Sequence, residues 1–113
     1  MNTDEIKYHS FSILGAGKSG ISIAKLLKRH GTKVFLSESS PTGKMKDSDV
    51  SDLTRNNIEF ESGGHSDKVF EYDFIIKSPG IPLNADVMIN AEKRNKKIVS
   101  EIEENIRELI SNN

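Results

Sequence analysis

The chain has 113 residues, 16 basic and 17 acidic side chains for a net charge of −1, and no cysteine. That length supports one domain with a real core but is short for an enzyme that grips two substrates, so residues 1–113 read as a single module. The charge balance argues against a broad nucleic-acid or membrane surface, which needs clustered positive charge, and the missing cysteines exclude a disulfide framework or a thiolate metal site. No apolar run approaches the roughly 20 residues of a membrane span. The polar start Met1-Asn2-Thr3-Asp4-Glu5 is unlike a signal peptide, so a cytoplasmic location is expected.

Tyr8 to Leu14 ends in consecutive apolar residues, as a strand covered on both faces should. From Lys18 to His30, Ile21, Ile23, Ala24, Leu26 and Leu27 form a helical face, Lys28, Arg29 and His30 suit the negative end of the helix dipole, and Gly31 is a natural cap. Lys33 to Ser37 reads as a second strand, completing a βαβ unit. A turn-rich loop follows, then a weak helix from Asp47 to Asn57 with Val50 and Leu53 inward. Ile58 to Glu61 alternates like a short strand and Ser62-Gly63-Gly64-His65 breaks it. Asp73 to Lys77 is a buried strand stopped by Ser78-Pro79-Gly80-Ile81-Pro82, Ala85 to Lys96 has helical spacing, Ile98-Val99 adds a short strand, and Glu101 to Ser111 a terminal helix. This order predicts a Rossmann-like α/β fold: a doubly wound, mostly parallel five-stranded sheet with helices on both faces.

Between the first strand and the first helix lies Gly15-Ala16-Gly17-Lys18-Ser19-Gly20. In that setting the G-x-G-x-x-G spacing supplies a tight turn at Gly15, room for a phosphate at Gly17 and close helix packing at Gly20, with the helix N-terminus facing the anion. Gly17-Lys18-Ser19 also matches the end of an ATP-binding P-loop, but the glycine required five positions earlier is Ser12. The dinucleotide-type turn is the better match, and a ligand-free βα turn would use the same residues.

In open parallel sheets, ligands bind beyond the carboxyl ends of the strands. Three loops fall there: Gly15 to Gly20, Glu38 to Ser40, and Ser78 to Gly80. Glu38 lies near the distance from the glycines at which a nicotinamide-cofactor fold places a carboxylate on ribose hydroxyls, although a loop carboxylate is equally at home in solvent. Ser78-Pro79-Gly80 offers a hydroxyl and backbone donors, or merely a rigid strand terminator. His9, His30 and His65 show no ligand spacing, and no Ser/His/Asp arrangement is recoverable, so neither a metal site nor a catalytic residue is expected in this domain. Lys18, beside the glycines, is placed to contact a phosphate, although a lysine in a helix's first turn is also at home in solvent.

Taken together, Gly15-Ala16-Gly17-Lys18-Ser19-Gly20 with Ile21-Ser22-Ile23-Ala24, Ser62-Gly63-Gly64-His65, Lys77-Ser78-Pro79-Gly80-Ile81-Pro82 and Ile98-Val99-Ser100-Glu101-Ile102-Glu103 resemble the N-terminal domain of the Mur ligases. The two later signatures point to the branch that adds D-glutamate; MurC-like sequences share mainly the first part. The resemblance implies a domain that binds the UDP end of UDP-N-acetylmuramoyl-L-alanine. Lys18 and Ser19 would contact the diphosphate, Gly15, Gly17 and Gly20 would shape the turn, Glu38, Ser39 and Ser40 would approach uracil and ribose, and Ser78 with Gly80 would close the other side. The family often has aspartate at the Glu38 position and a basic residue near Ser40. It also implies that ATP and magnesium belong to a central domain, expected to start about where this chain stops at Ser111-Asn112-Asn113, so that the chain alone would be inactive. A free-standing NAD-binding domain or redox sensor, and a non-catalytic nucleotide-binding interaction module, are the competing readings.

Overall fold

A computed structural model describes residues 9–40, 45–77, 81–82 and 84–100. Five strands, β1 (Ser10–Leu14), β2 (Lys33–Ser37), β3 (Glu59–Glu61), β4 (Phe74–Lys77) and β5 (Lys97–Ser100), form one sheet in the order β3-β2-β1-β4-β5. Every pairing is parallel. Three helices, α1 (Lys18–Arg29), α2 (Asp47–Arg55) and α3 (Asp86–Lys93), and a 3₁₀ helix (Asp67–Glu71) make the crossovers. The strand order reverses between β1 and β4, which creates a crevice at the carboxyl edge of the sheet.

Because side chains alternate across a strand, each strand feeds two cores. Phe11, Ile13, Val34, Leu36 and Ile76 pack with Ile21, Ile23, Ala24 and Leu27 of α1 and Leu53 of α2. Leu14, Phe35 and Ile75 face the other way, onto Val69 and Phe70 of the 3₁₀ helix and Met88 and Ala91 of α3. The two-faced covering explains why β1 and β2 read as apolar runs rather than as alternating sequence. The one interior hydroxyl of β1, on Ser12, is fully buried and donates to the Val69 carbonyl at 2.9 Å, fastening the 3₁₀ helix to the sheet. At the sheet's opposite edge, Ser10 and Asp73 bind reciprocally. The Ser10 amide donates to Asp73 Oδ2 and the Asp73 amide donates to Ser10 Oγ, both at 2.9 Å.

The three α-helices among the described residues end by one device. In α1 the Thr32 amide donates to Leu27 O and the Gly31 amide to Lys28 O, with Gly31 at φ +80°. The same pair of bonds runs from Ile58 to Leu53 and Asn57 to Thr54 after α2, and from Lys96 to Ala91 and Asn95 to Glu92 after α3. Asn57 (φ 56°) and Asn95 (φ 55°) occupy the left-handed position taken by Gly31. These residues end α2 and α3 earlier than the expected Asn57 and Lys96, because a left-handed residue cannot continue a right-handed helix. The expected terminal helix from Glu101 lies outside the described residues. The 3₁₀ helix was not anticipated: five residues are too few to establish a period.

Candidate functional site

The glycine run makes the turn from β1 into α1, and its three glycines have different reasons to be glycine. Gly15 has φ +107°, a conformation L side chains resist, and its amide donates to the Ser37 carbonyl at 2.8 Å. Gly20 is buried in the first turn of α1, where a Cβ would sit 2.1 Å from the Gly15 carbonyl oxygen. Gly17 is the helix N-cap at φ −68°, and a Cβ there would meet nothing within 4 Å. The fold therefore requires the outer two glycines, whereas the middle one keeps open space above the helix end. That end has no side-chain cap and no acidic residue in its own first turn, and the charge that offsets its positive pole comes from Glu38, whose carboxylate accepts from the Ala16 amide just before the cap. Lys18 is exposed beside it and Ser19 is partly buried.

A P-loop is not formed. Position 12, where that motif needs glycine, is inside β1 with its hydroxyl committed to Val69, and only residues 15–17 separate strand from helix.

Glu38 follows β2 and reaches back to the glycine turn. Its Oε1 accepts from the Ala16 amide at 2.6 Å and its Oε2 from the Ser40 amide at 2.8 Å, so one carboxylate braces two loops. Burial pushes the carboxyl pKa up, but the bonds from Ala16 and Ser40 outweigh it and hold the group below its ordinary value. The side chain expected only to approach uracil and ribose thus also shapes the loop that would do so. Each oxygen retains further acceptor capacity.

The Ser62-Gly63-Gly64-His65 segment completes the arrangement. Gly63 (φ +87°) donates its amide to the Ser40 carbonyl at 2.6 Å, and Gly64 (φ +145°) to the Glu38 carbonyl at 3.3 Å. The Ser37 hydroxyl, wholly buried, lies 2.6 Å from Glu61 Oε2 and 2.7 Å from His65 Nδ1. Burial raises the Glu61 pKa, but hydrogen bonds from Ser37 and Ser66 bring it below the usual carboxylate value. Burial also lowers the His65 pKa, against the pull of Glu61 and Glu38. Sequence reasoning saw this segment as a strand breaker and family signature, and missed its contact with the candidate site.

Two cavities flank the Glu38–Ser40 loop. One, of about 750 Å³, runs between α1 and α2 and is lined by Gly17, Lys18, Glu38 and Ser40. The other, of about 500 Å³, lies between Ser39 and His65 on one side and Ile81, Pro82 and Val87 on the other. The structure therefore gathers Gly15, Gly17, Lys18, Ser19, Gly20, Glu38, Ser39 and Ser40 at one edge of the sheet. Ser78 and Gly80 lie outside the described residues, although β4 delivers the chain to them from Lys77, the register partner of Leu14 at the end of β1.

A doubly wound parallel sheet with a glycine-rich first turn and a braced loop after β2 defines a Rossmann-like α/β domain. The family model described as MurD N-terminal domain matches residues 10–87. The chain belongs to that family. It is 44% identical over 99 residues, 88% of this chain and 21% of the relative, to the UDP-N-acetylmuramoylalanine--D-glutamate ligase of Pelodictyon phaeoclathratiforme. To the protein of the same name from Chloroherpeton thalassium it is 45% identical over 103 residues, 91% of this chain and 22% of the relative. Among solved structures, the murein peptide ligase Mpl of Psychrobacter arcticus superposes with a TM-score of 0.70 at 17% identity, covering 80% of this chain and 18% of that one, a likeness of fold. The chain spans about a fifth of the length of the curated relatives it matches. No helix among the described residues is long and apolar enough to cross a membrane.

Proposed function

We propose that this chain is the substrate-anchoring domain, over residues 1–113, of an ATP-dependent ligase that joins D-glutamate to UDP-N-acetylmuramoyl-L-alanine in peptidoglycan precursor synthesis. The observation that carries it is the open space over Gly17 at the uncapped N-terminus of α1, with Lys18 beside it and the Glu38 loop braced against the adjoining Ala16 amide. An anion seated there meets backbone N–H groups and the helix dipole. The diphosphate takes Gly17, Lys18, Ser19 and the turn set by Gly15 and Gly20; the uridine takes Glu38, Ser39 and Ser40, with Ser78 and Gly80 opposite. ATP and magnesium act elsewhere in the whole cytoplasmic enzyme, where the alanyl carboxylate is phosphorylated and the D-glutamate amine attacks the acyl phosphate. This domain contributes grip, not chemistry.

Isothermal titration with UDP and with NAD tests the proposal. UDP binds saturably and more tightly than NAD; tighter binding of NAD than of any uridine nucleotide would sink it and favour a nicotinamide-binding domain.

A further inference from the structure

The cavity between Ser39 and α3 has a chemistry of its own. Its walls include Phe70, Ile81, Pro82 and Val87, and its charged lining residues are Asp67 and Asp86. Two carboxylates repel a phosphate, while apolar walls and acceptors suit a flat heterocycle that carries N–H donors. His65 lines the same space.

The Ser37–Glu61–His65 network fixes what His65 can offer. Ser37 Oγ has one proton, and the ionised Glu61 carboxylate can only accept, so the hydroxyl donates to Glu61 Oε2 at 2.6 Å. Ser37 Oγ must then accept from His65, which puts a proton on Nδ1 across the 2.7 Å contact. In the neutral ring Nε2 is consequently a bare acceptor. Among the described residues nothing bonds to it.

We propose that His65 is a specificity-determining residue that accepts the ring N3–H of uracil on Nε2 within the cavity between Ser39 and α3. The proposal rests on the uridine reading above and adds to it the residue that tells one pyrimidine from another. Uracil presents a donor at N3 where cytosine presents an acceptor, so a neutral His65 favours the first and opposes the second. Protonation turns Nε2 into a donor and reverses both preferences. The titratable groups around the ring are Glu38 and Glu61 on the sheet side, Asp67 of the 3₁₀ helix, which pairs with Arg94 at 3.5 Å, and Asp86 of α3. Burial holds His65 below its ordinary value against them, so the ring is neutral at pH 7.5.

The test is calorimetric titration of the chain with UDP and with CDP between pH 5 and 8, for the wild type, His65→Phe and His65→Gln. At pH 7.5 the wild type prefers UDP by about tenfold, the worth of one well-placed hydrogen bond against an opposed pair. On acidification its UDP affinity falls while its CDP affinity rises. His65→Phe brings the ratio close to one and removes both trends, and His65→Gln, which restores an acceptor, recovers part of the preference without the pH dependence. Parallel pH trends for the two nucleotides in the wild type, or an unchanged ratio in His65→Phe, overturn the inference while leaving the uridine reading intact. Failure of the wild type to bind any uridine nucleotide overturns both.

Discussion

Gly20 and Gly15 occupy one another's space: the hydrogen that Gly20 presents points at the Gly15 carbonyl oxygen, and a methyl group there would stand 2.1 Å from it. Five residues apart, the two glycines set how deeply α1 sinks against β1. A Cβ on Gly17, between them, would meet nothing within 4 Å.

Substitutions in this turn should therefore separate folding from binding. Gly20→Ala pushes the backbone carbonyl of Gly15, in the turn directly after β1, and should cost about 3 kcal/mol or more. Gly17→Val has room and an unstrained φ, so it should cost about 1 kcal/mol or less, the price of a poorer helix cap. Its side chain enters the phosphate space, and UDP affinity should fall by at least about tenfold. Urea unfolding and calorimetry measure the two quantities; a Gly17→Val protein that binds UDP normally would refute the placement of the diphosphate.

Glu38→Ala strips the acceptor from two backbone amides, those of Ala16 and Ser40. Leaving them unpaired should destabilise the domain by about 1–2 kcal/mol. Glu38→Gln keeps one oxygen and turns an amide toward the other N–H, so it should fall between wild type and Glu38→Ala. Equal stability of all three proteins by urea titration would show that the brace carries nothing.

The left-handed asparagines offer a stabilising change. Asn57→Gly and Asn95→Gly relieve a side chain held at φ 56° and 55° and should each gain up to about 1 kcal/mol; Asn→Ala at either position should lose about 1 kcal/mol. Thermal melts of the four variants decide, and a loss on introducing glycine would mean that the asparagine side chains hold the helix ends.

Acid should weaken the domain in two steps. The folded-state pKa of His65 lies below its ordinary 6.5, so the unfolded chain takes up the proton first; this stabilisation is complete above pH 6.5 and declines as pH falls toward the folded value. Glu38 and Glu61 are likewise depressed from 4.5, and their contribution is present above pH 4.5 and lost as pH drops through their folded values. Melting temperature against pH should show the upper step in the wild type and lack it in His65→Phe.

Much of this architecture is written locally. The βαβ unit is legible because apolar runs, a helical face and Gly31 each act within a few residues, and the roles of Gly15 and Gly20 follow from the spacing of one turn. Glu38 is legible as a position, but its bond to Ala16 spans 22 residues. The Ser37 bonds to Glu61 and His65 span 24 and 28, and no pattern in the chain announces them. His65 was accordingly passed over, since a histidine after two glycines acquires a role only when β2 and β3 lie side by side. The crossover from β3 to β4 is illegible for a different reason, since its 3₁₀ helix of five residues is too short to show a period.

Among the described residues the three connections from an α-helix to a strand are each three residues long and closed by the same pair of bonds. Their counterparts at the other edge vary from the three-residue glycine turn to the nine residues between β2 and α2. The domain thus has a standardised rim and a customised one. Residues at the carboxyl rim can change without renegotiating the crossovers that hold the sheet together.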